Sequence, residues 1–366
     1  MLRAAELHRG RQQSEKALAY YRRLLVNYAE YAQRDPEFAS VDSLLFQMAW
    51  LEKQRQQTEE SLRLFAAIHE NHPRSRYWLD ATYRLAEARY AAQDAAGTSR
   101  YLQSIFTAIQ TPENSAPGLV LEGELALRVY YLQGIHAVAQ AQWELVSPAM
   151  RQVLQLQPTD NWRQLAEYWM AEAEYKLGHL ELAIPLFQKL MKQGDTLSVE
   201  LKAQTALKVA QSKFEQREEA ECLEIIKQFN EAYPKHTLLY EFDYLQGRCH
   251  ARRAEFDDAR AALQRVVISD TGSKSETAAM AQWMIGETYY HQRRYHEAIR
   301  AFMRVEALYP YPQWQAAAVM ETGKCYEQLQ DYAAAAQCYQ MIIKRWPDCK
   351  LVSDALNYLQ LLNKRN

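Results

Sequence analysis

The sequence predicts an all-α, right-handed α-solenoid of about nine helical hairpins closed by a C-terminal helix. Three observations predict it. Between Gln282 and Pro347 the same helix–turn–helix is written twice, with Gly286/Gly323, Ala298/Ala335, Phe302/Tyr339, Val305/Ile342 and Pro310/Pro347 in a register of 37 residues. A fixed period in this range is the signature of stacked helical hairpins. The composition favours helix, with only 11 Gly and 11 Pro in 366 residues, and strand-like alternation is absent over any useful length.

Extending the frame gives nine units, each with a first helix A and a second helix B. Helix A carries a small residue at Ala5, Ala49, Ala86, Gly134, Ala171, Ala210, Gly247, Gly286 and Gly323. Twelve residues on, in helix B, stand Ala17, Ser61, Thr98, Val146, Ala183, Cys222, Ala259, Ala298 and Ala335. Four further on come Tyr21, Phe65, Leu102, Met150, Phe187, Ile226, Leu263, Phe302 and Tyr339. Antiparallel helices approach closely only where neither has a bulky side chain, and the hole beside the crossing is filled by the large residue one turn on. Pro73, Pro158, Pro234, Pro310 and Pro347 then stop helix B.

Taken in order, the first unit has a short helix A before Ala5, which reads as the start of a longer array entered part-way, since a solenoid end needs a polar capping unit. Asp35-Pro36 reads as a cap and the opening of a longer helix. The segment from Thr107 to Val120, with Pro112, Asn114, Ser115, Pro117 and Gly118, reads as a loop insertion or hinge. Helix A of the fourth unit reads as running on to Ser147-Pro148. Leu351 to Leu362 forms a final amphipathic helix with Leu356, Leu359 and Leu362 inward. The divisions are therefore 1–106 for the N-terminal hairpins, 107–120 for the insertion, 121–350 for the C-terminal hairpins, and 351–366 for the capping helix and tail.

The pattern W/Y-x-x-G/A-x-x-Y…A-x-x-x-F…P resembles the tetratricopeptide repeat. AEYWMAEAEYKLGHLELAIPLFQKL (Ala166 to Leu190) and MIGETYYHQRRYHEAIRAF, with the HPRS and YPKHT cadences, are similar to the repeats of two bacterial envelope families. These are the TolA-binding coordinator of the Tol–Pal system and the outer-membrane assembly lipoprotein of the barrel-insertion machinery. The resemblance implies a non-catalytic scaffold that binds a peptide or partner domain in a concave groove, in cell-envelope organisation or assembly. It implies a periplasmic location if an upstream signal is missing from this chain; Met1 as the native start would instead mean a cytoplasmic one. The alternatives are a cytoplasmic regulatory or sensor array binding a regulatory peptide, and an accessory domain of a larger complex.

Other classes find little support. The formal charge is −2, from 43 basic and 45 acidic residues, so there is no electrostatic drive towards nucleic acid or anionic membrane. No apolar run approaches the roughly 18–20 residues that span a bilayer. Five cysteines without a CxxC read as free thiols, with Cys325 and Cys338 on the two helices of one unit. His69 and His72 read as solvated helix-end residues rather than metal ligands. There is no phosphate-binding loop, no HExxH and no local nucleophile–base set; the reading assigns no cofactor, no metal and no catalytic residue.

The candidate site is the groove face of helix A, at positions three before, one after and four after the small residue. Phe46, Trp50, Tyr83, Glu87, Tyr90, Tyr131, Tyr168, Glu172, Tyr175, Phe214, Tyr244, Arg248, Trp283, Glu287, Tyr290 and Lys324 occupy it. Three units repeat aromatic-x3-Glu-x2-aromatic: Tyr83/Glu87/Tyr90, Tyr168/Glu172/Tyr175 and Trp283/Glu287/Tyr290. Rings flanking a carboxylate suit a partner with basic and aromatic side chains, through stacking, cation–π contact and ion pairing. The Lys and Asn set that clamps a chaperone C-terminal carboxylate is missing from this face.

Overall fold

A computed structural model describes residues 1–34, 39–110, 119–193 and 196–363. Two compact units divide the chain, Met1–Leu186 and Phe187–Asn366. Among the described residues there is no strand.

In the first unit, α1 (Leu2–Gly10) pairs with α2 (Ser14–Val26), followed by the short α3 (Tyr28–Arg34). Three hairpins follow: α4 (Val41–Gln54) with α5 (Thr58–Asn71), α6 (Trp78–Ala91) with α7 (Ala95–Gln110), and α8 (Gly123–Ala139) with α9 (Trp143–Gln155). Next, α10 (Asp160–Lys176) leads into α11 (Leu180–Lys192), within which the boundary between the units falls. The second unit holds α12 (Val199–Glu215) with α13 (Glu219–Ala232), α14 (Leu239–Arg252) with α15 (Phe256–Val267), α16 (Glu276–His291) with α17 (Tyr295–Leu308), and α18 (Pro312–Gln328) with α19 (Tyr332–Arg345). The closing helix α20 (Val352–Asn363) packs on α19. Each unit is thus a run of helical hairpins, and its core is the seam between the helices.

The three residue columns read from the sequence are that seam. Every one of their members is buried. A methyl group on Gly247 would lie 2.6 Å from Cγ of Leu263, and one on Gly323 would lie 2.6 Å from Cε1 of Tyr339. The large residue of helix B does fill the space beside the small residue of helix A. The larger helix-B residues at the small site keep their polar atoms bonded: Ser61 Oγ donates to the Ala49 carbonyl at 2.8 Å, and Thr98 Oγ1 to that of Asp94 at 2.8 Å.

The A-to-B turns share a device that the sequence conceals. Seven residues after each small site the backbone is left-handed, at Gln12, Gln56, Gln93, Ala141, Gly178, Arg217, Ala254, Arg293 and Gln330. The next N–H closes a six-residue ring onto helix A, as in Arg294 N to Tyr289 O and Asp331 N to Tyr326 O, both 2.9 Å. This is a Schellman ending, normally built on glycine; only Gly178 is one here. Helix B then starts with few side-chain caps, among them Asp331 Oδ1, which accepts from Ala334 N at 3.0 Å.

Several expectations are corrected. Helix A of the fourth unit ends at Ala139, and Pro148 lies inside α9; the turn at Gln140–Gln142 carries no glycine or proline to announce it. In α20 the inward residues are Ala355 and Leu362, whereas Leu356 is 45% exposed, because it stands one position off the stripe that Ala355, Leu359 and Leu362 define at i, i+4, i+7. His69 is half-buried rather than a freely solvated helix end: its ring stacks on Trp78 at 5.3 Å and meets Thr82 Oγ1 at 2.9 Å, and burial lowers its pKa. The five cysteines are free thiols, as the sequence reads them, but the pair whose sulfurs approach is Cys222 and Cys249, 3.4 Å apart, rather than Cys325 and Cys338. Asp35-Pro36 and the middle of the 107–120 insertion, residues 111–118, lie outside the described residues; 107–110 belong to α7.

Candidate partner-binding face

In each unit successive A helices touch: α6 with α8 and α8 with α10, then α12 with α14, α14 with α16 and α16 with α18. The positions next to the small sites therefore line up along a face formed by A helices. The sixteen expected residues fall into different environments along it.

In the first unit the rings pack on the protein itself. Phe46 stacks on Tyr77 at 4.3 Å and meets Trp50 edge-on at 6.3 Å. Trp50 carries two cations, Arg84 at 4.7 Å and Lys53 at 5.3 Å from the ring centre. Tyr83 is buried, and its hydroxyl donates to Glu87 at 2.9 Å. Arg84 donates to the other Glu87 oxygen at 3.1 Å, and Lys53 stands 3.5 Å from it. Burial pushes the Glu87 carboxyl up, but the Tyr83 hydrogen bond and the charges of Arg84 and Lys53 together outweigh it and hold the group below its usual range. Arg84 is a residue the sequence reading missed; it stands two before the small site Ala86, where only its contacts identify it.

Tyr90 borders a cavity of about 380 Å³ with Asp94, Thr98, His136 and Gln140. His136 is buried, bonds Ser99 at 2.8 Å, and has its pKa lowered by burial. The Tyr131 hydroxyl accepts from Trp169 Nε1 at 3.3 Å. Tyr168 and Glu172 are buried, with Lys176 at 4.0 Å from the carboxylate, and Tyr175 is half-buried.

In the second unit Phe214 is buried beneath two guanidinium groups, Arg252 at 3.4 Å and Arg248 at 4.2 Å. Arg248 also lies 3.7 Å from Glu215 and 5.9 Å from the Tyr244 ring. Trp283 is half-buried, 6.0 Å from Trp314 and 6.2 Å from Phe302. Glu287 follows one turn later, and Tyr290 meets Tyr295 at 5.5 Å. Lys324 donates to Glu321 at 2.7 Å and sits 5.9 Å from the Tyr358 ring. Burial and the neighbouring Glu321 charge push the Glu287 carboxyl up to about 7, with Lys324 opposing. Trp314 and Glu321 on α18, and Tyr295 at the start of α17, were not legible as neighbours of these residues, because they stand outside the three positions around the small site.

His250, Glu255 and Asp258 bring ligand atoms within 4.8 Å of one another. His250 Nδ1 and Glu255 Oε2 bond each other at 2.7 Å, and Arg253 holds the other Glu255 oxygen at 2.8 Å, so these groups satisfy one another at the α14–α15 turn. No described helix is long and apolar enough to cross a membrane.

Two family models, both described as Tetratricopeptide repeat, match the chain. One covers residues 244–312, and the other covers 1–31, 43–75, 165–193 and 317–348. No curated protein sequence matches. Among solved structures, apo RapI is 11% identical with a TM-score of 0.57, over 89% of this chain and 98% of that one. PilW, titled a type IV pilus biogenesis factor, is 15% identical with a TM-score of 0.50, over 66% and 99%. A chain of the APC/C hetero-tetramer Cut9–Hcn1 is 13% identical with a TM-score of 0.50, over 95% and 62%. At these identities the likeness is one of fold. The repeated seam, the touching A helices and family matches that together span more than half of the sequence make this chain a tetratricopeptide-repeat protein.

Proposed function

We propose that the protein is a non-catalytic scaffold that holds a peptide or partner domain against the A-helix face, in the organisation or assembly of the bacterial cell envelope. One observation carries the binding reading. In the second unit Tyr244, Arg248, Trp283, Glu287, Tyr290 and Lys324 stand half-buried on helices that touch in sequence. The rings pack partly on the core, but Arg248, Glu287 and Lys324 are charges that hydrophobic packing does not require, and charges beside half-exposed rings in a row suit a docking wall. The envelope setting rests on the cadence of Ala166 to Leu190 and on the Tyr-Pro repeats.

The test is capture from membrane, periplasmic and cytosolic fractions of the source bacterium. Wild-type protein is compared with a Tyr244→Ser/Tyr290→Ser variant whose helical content and melting point are checked first. A partner from the envelope fractions, held by wild type and lost by the variant, supports the proposal. A partner retained by the variant places the docking surface elsewhere, and one drawn only from the cytosol overturns the envelope setting.

A further inference from the structure

The three aromatic–Glu–aromatic phrases look equivalent in sequence and are not equivalent in the fold. Glu87 is held by Tyr83, Arg84 and Lys53. Glu172 is only 6% exposed. Glu287 keeps a quarter of its side chain exposed, and its nearest cationic candidate is His291 Nε2, at 3.9 Å from one oxygen. The other oxygen, Oε1, is buried and has no hydrogen-bond partner among the described residues, and the same holds for Trp283 Nε1 one turn earlier.

The neighbouring cations in the same register are drawn elsewhere. Arg248 and Lys324 stand one residue after their small sites, as Glu287 does, on the A helices to either side. Lys324 bonds Glu321 at 2.7 Å. Arg248 faces Glu215 at 3.7 Å and lies over the Phe214 ring. A carboxylate is thus left without a committed counter-charge, between an indole one turn before it and a phenol three residues after it.

We infer that the Trp283–Glu287–Tyr290 face binds a partner segment through a lysine or arginine side chain, with Glu287 as the counter-ion. The inference rests on the docking reading above and names the chemistry of its occupant. A cation placed at Oε2, the oxygen on the His291 side, gains the ion pair, with the half-buried rings of Trp283 and Tyr290 on the same helix before and after it. The stem of a long basic side chain covers apolar ring surface as it enters.

The arrangement also makes capture pH-dependent. Burial and Glu321 raise Glu287 to about 7, so cation binding must draw the proton off. Affinity is then lost as pH falls through neutrality. The groups around Glu287 are Glu321, Lys324 and Cys325 on α18, Arg248 in register on α14, Tyr295 on α17 against Tyr290, and Tyr290 and His291 on α16 itself. His291 is the one that needs a separate control.

The experiment pans a phage-displayed library of 12-residue peptides on the full chain, then measures selected peptides by fluorescence polarisation. Lysine or arginine should be enriched at one peptide position. Replacing it by norleucine or citrulline should cost about tenfold or more in affinity. Glu287→Gln should cost a similar factor for the basic peptide and less than about twofold for the neutral analogue. Wild-type affinity should fall roughly tenfold from pH 8 to pH 6, and His291→Gln should retain most of that fall. Selected peptides that depend on Tyr290 but show no basic position, or bind Glu287→Gln equally well, overturn the inference and leave the docking reading standing. A selection that yields no peptide overturns both.

Discussion

Gly286 on α16 lies against the ring of Phe302 on α17, so closely that a methyl group on the glycine would stand 2.6 Å from Cδ1 and 2.7 Å from Cζ. The phenylalanine is fully buried. The same relation joins Gly134 to Met150, Gly247 to Leu263 and Gly323 to Tyr339. Gly286→Ala should therefore destabilise the protein by about 1–2 kcal/mol, because overpacking costs about 1–3 kcal/mol and the gain in helix propensity returns no more than about 1 kcal/mol. Adding Phe302→Leu should recover part of the loss. Urea unfolding of the two singles and the double would show it, and purely additive losses would mean that the two side chains do not share one space.

The left-handed turn residues carry avoidable strain. Ala254 and Arg293 hold φ near +60° with a Cβ attached. Replacing either by glycine should raise stability by up to about 1 kcal/mol, since the relief of left-handed strain exceeds the extra entropy lost on folding. Gly178→Ala should cost about the same amount in the opposite direction. Thermal melting of the three variants checks the sign; a loss on Arg293→Gly would mean that its side chain matters more than its backbone.

Glu52 is a buried charge in the first unit, 1% exposed, and it accepts from Arg22 and Arg55, both at 2.9 Å. Removing both guanidinium groups, as Arg22→Ala/Arg55→Ala, leaves that carboxylate uncompensated and should cost about 3–5 kcal/mol. Glu52→Leu, which removes the charge itself, should cost much less. Denaturant midpoints in which Glu52→Leu proved the worse variant would reverse this ranking.

The raised Glu287 carboxyl predicts a pH effect on stability in the absence of any partner. Its folded pKa, about 7, stands above the ordinary carboxylate value of 4.5. The folded state therefore holds more protons between these two values, and stability falls as pH rises from 4.5 through 7. The contribution, present below pH 4.5 and lost above pH 7, should be about 1–3 kcal/mol after allowance for partial exposure. Glu287→Gln should flatten that part of the stability–pH curve. Parallel curves for wild type and variant would show that the group is not stressed.

The sequence by itself determined the repeat, the identity of the seam and the place of the hairpins other than the fourth. Side-chain size is a property of residue type, and a close helix crossing admits only certain sizes at a fixed beat. The columns through Ala171, Gly247 and Gly286 were legible for that reason. The turns were less so: Gln93, Ala254 and Arg293 adopt a glycine-like backbone that no residue type announces, and the fourth hairpin was misplaced because its turn at Ala141 has no punctuation.

Only the tertiary structure decided what the candidate face is made of. Glu87, Glu172 and Glu287 stand at one position of one phrase, and the sequence treats them alike. Arg84 and Lys53 reach Glu87 from α6 and α4, packing buries Glu172, and Lys324 bonds Glu321 instead of Glu287. The physical reason is range. Packing between adjacent helices is set by side-chain volume at fixed spacing, whereas the charge state of a carboxyl depends on which cations fold to within about 4 Å of it. That choice is made partly along the same helix, as by Arg84 for Glu87 and Glu321 for Lys324, and partly by a neighbouring repeat, as by Lys53, which lies 34 residues before Glu87.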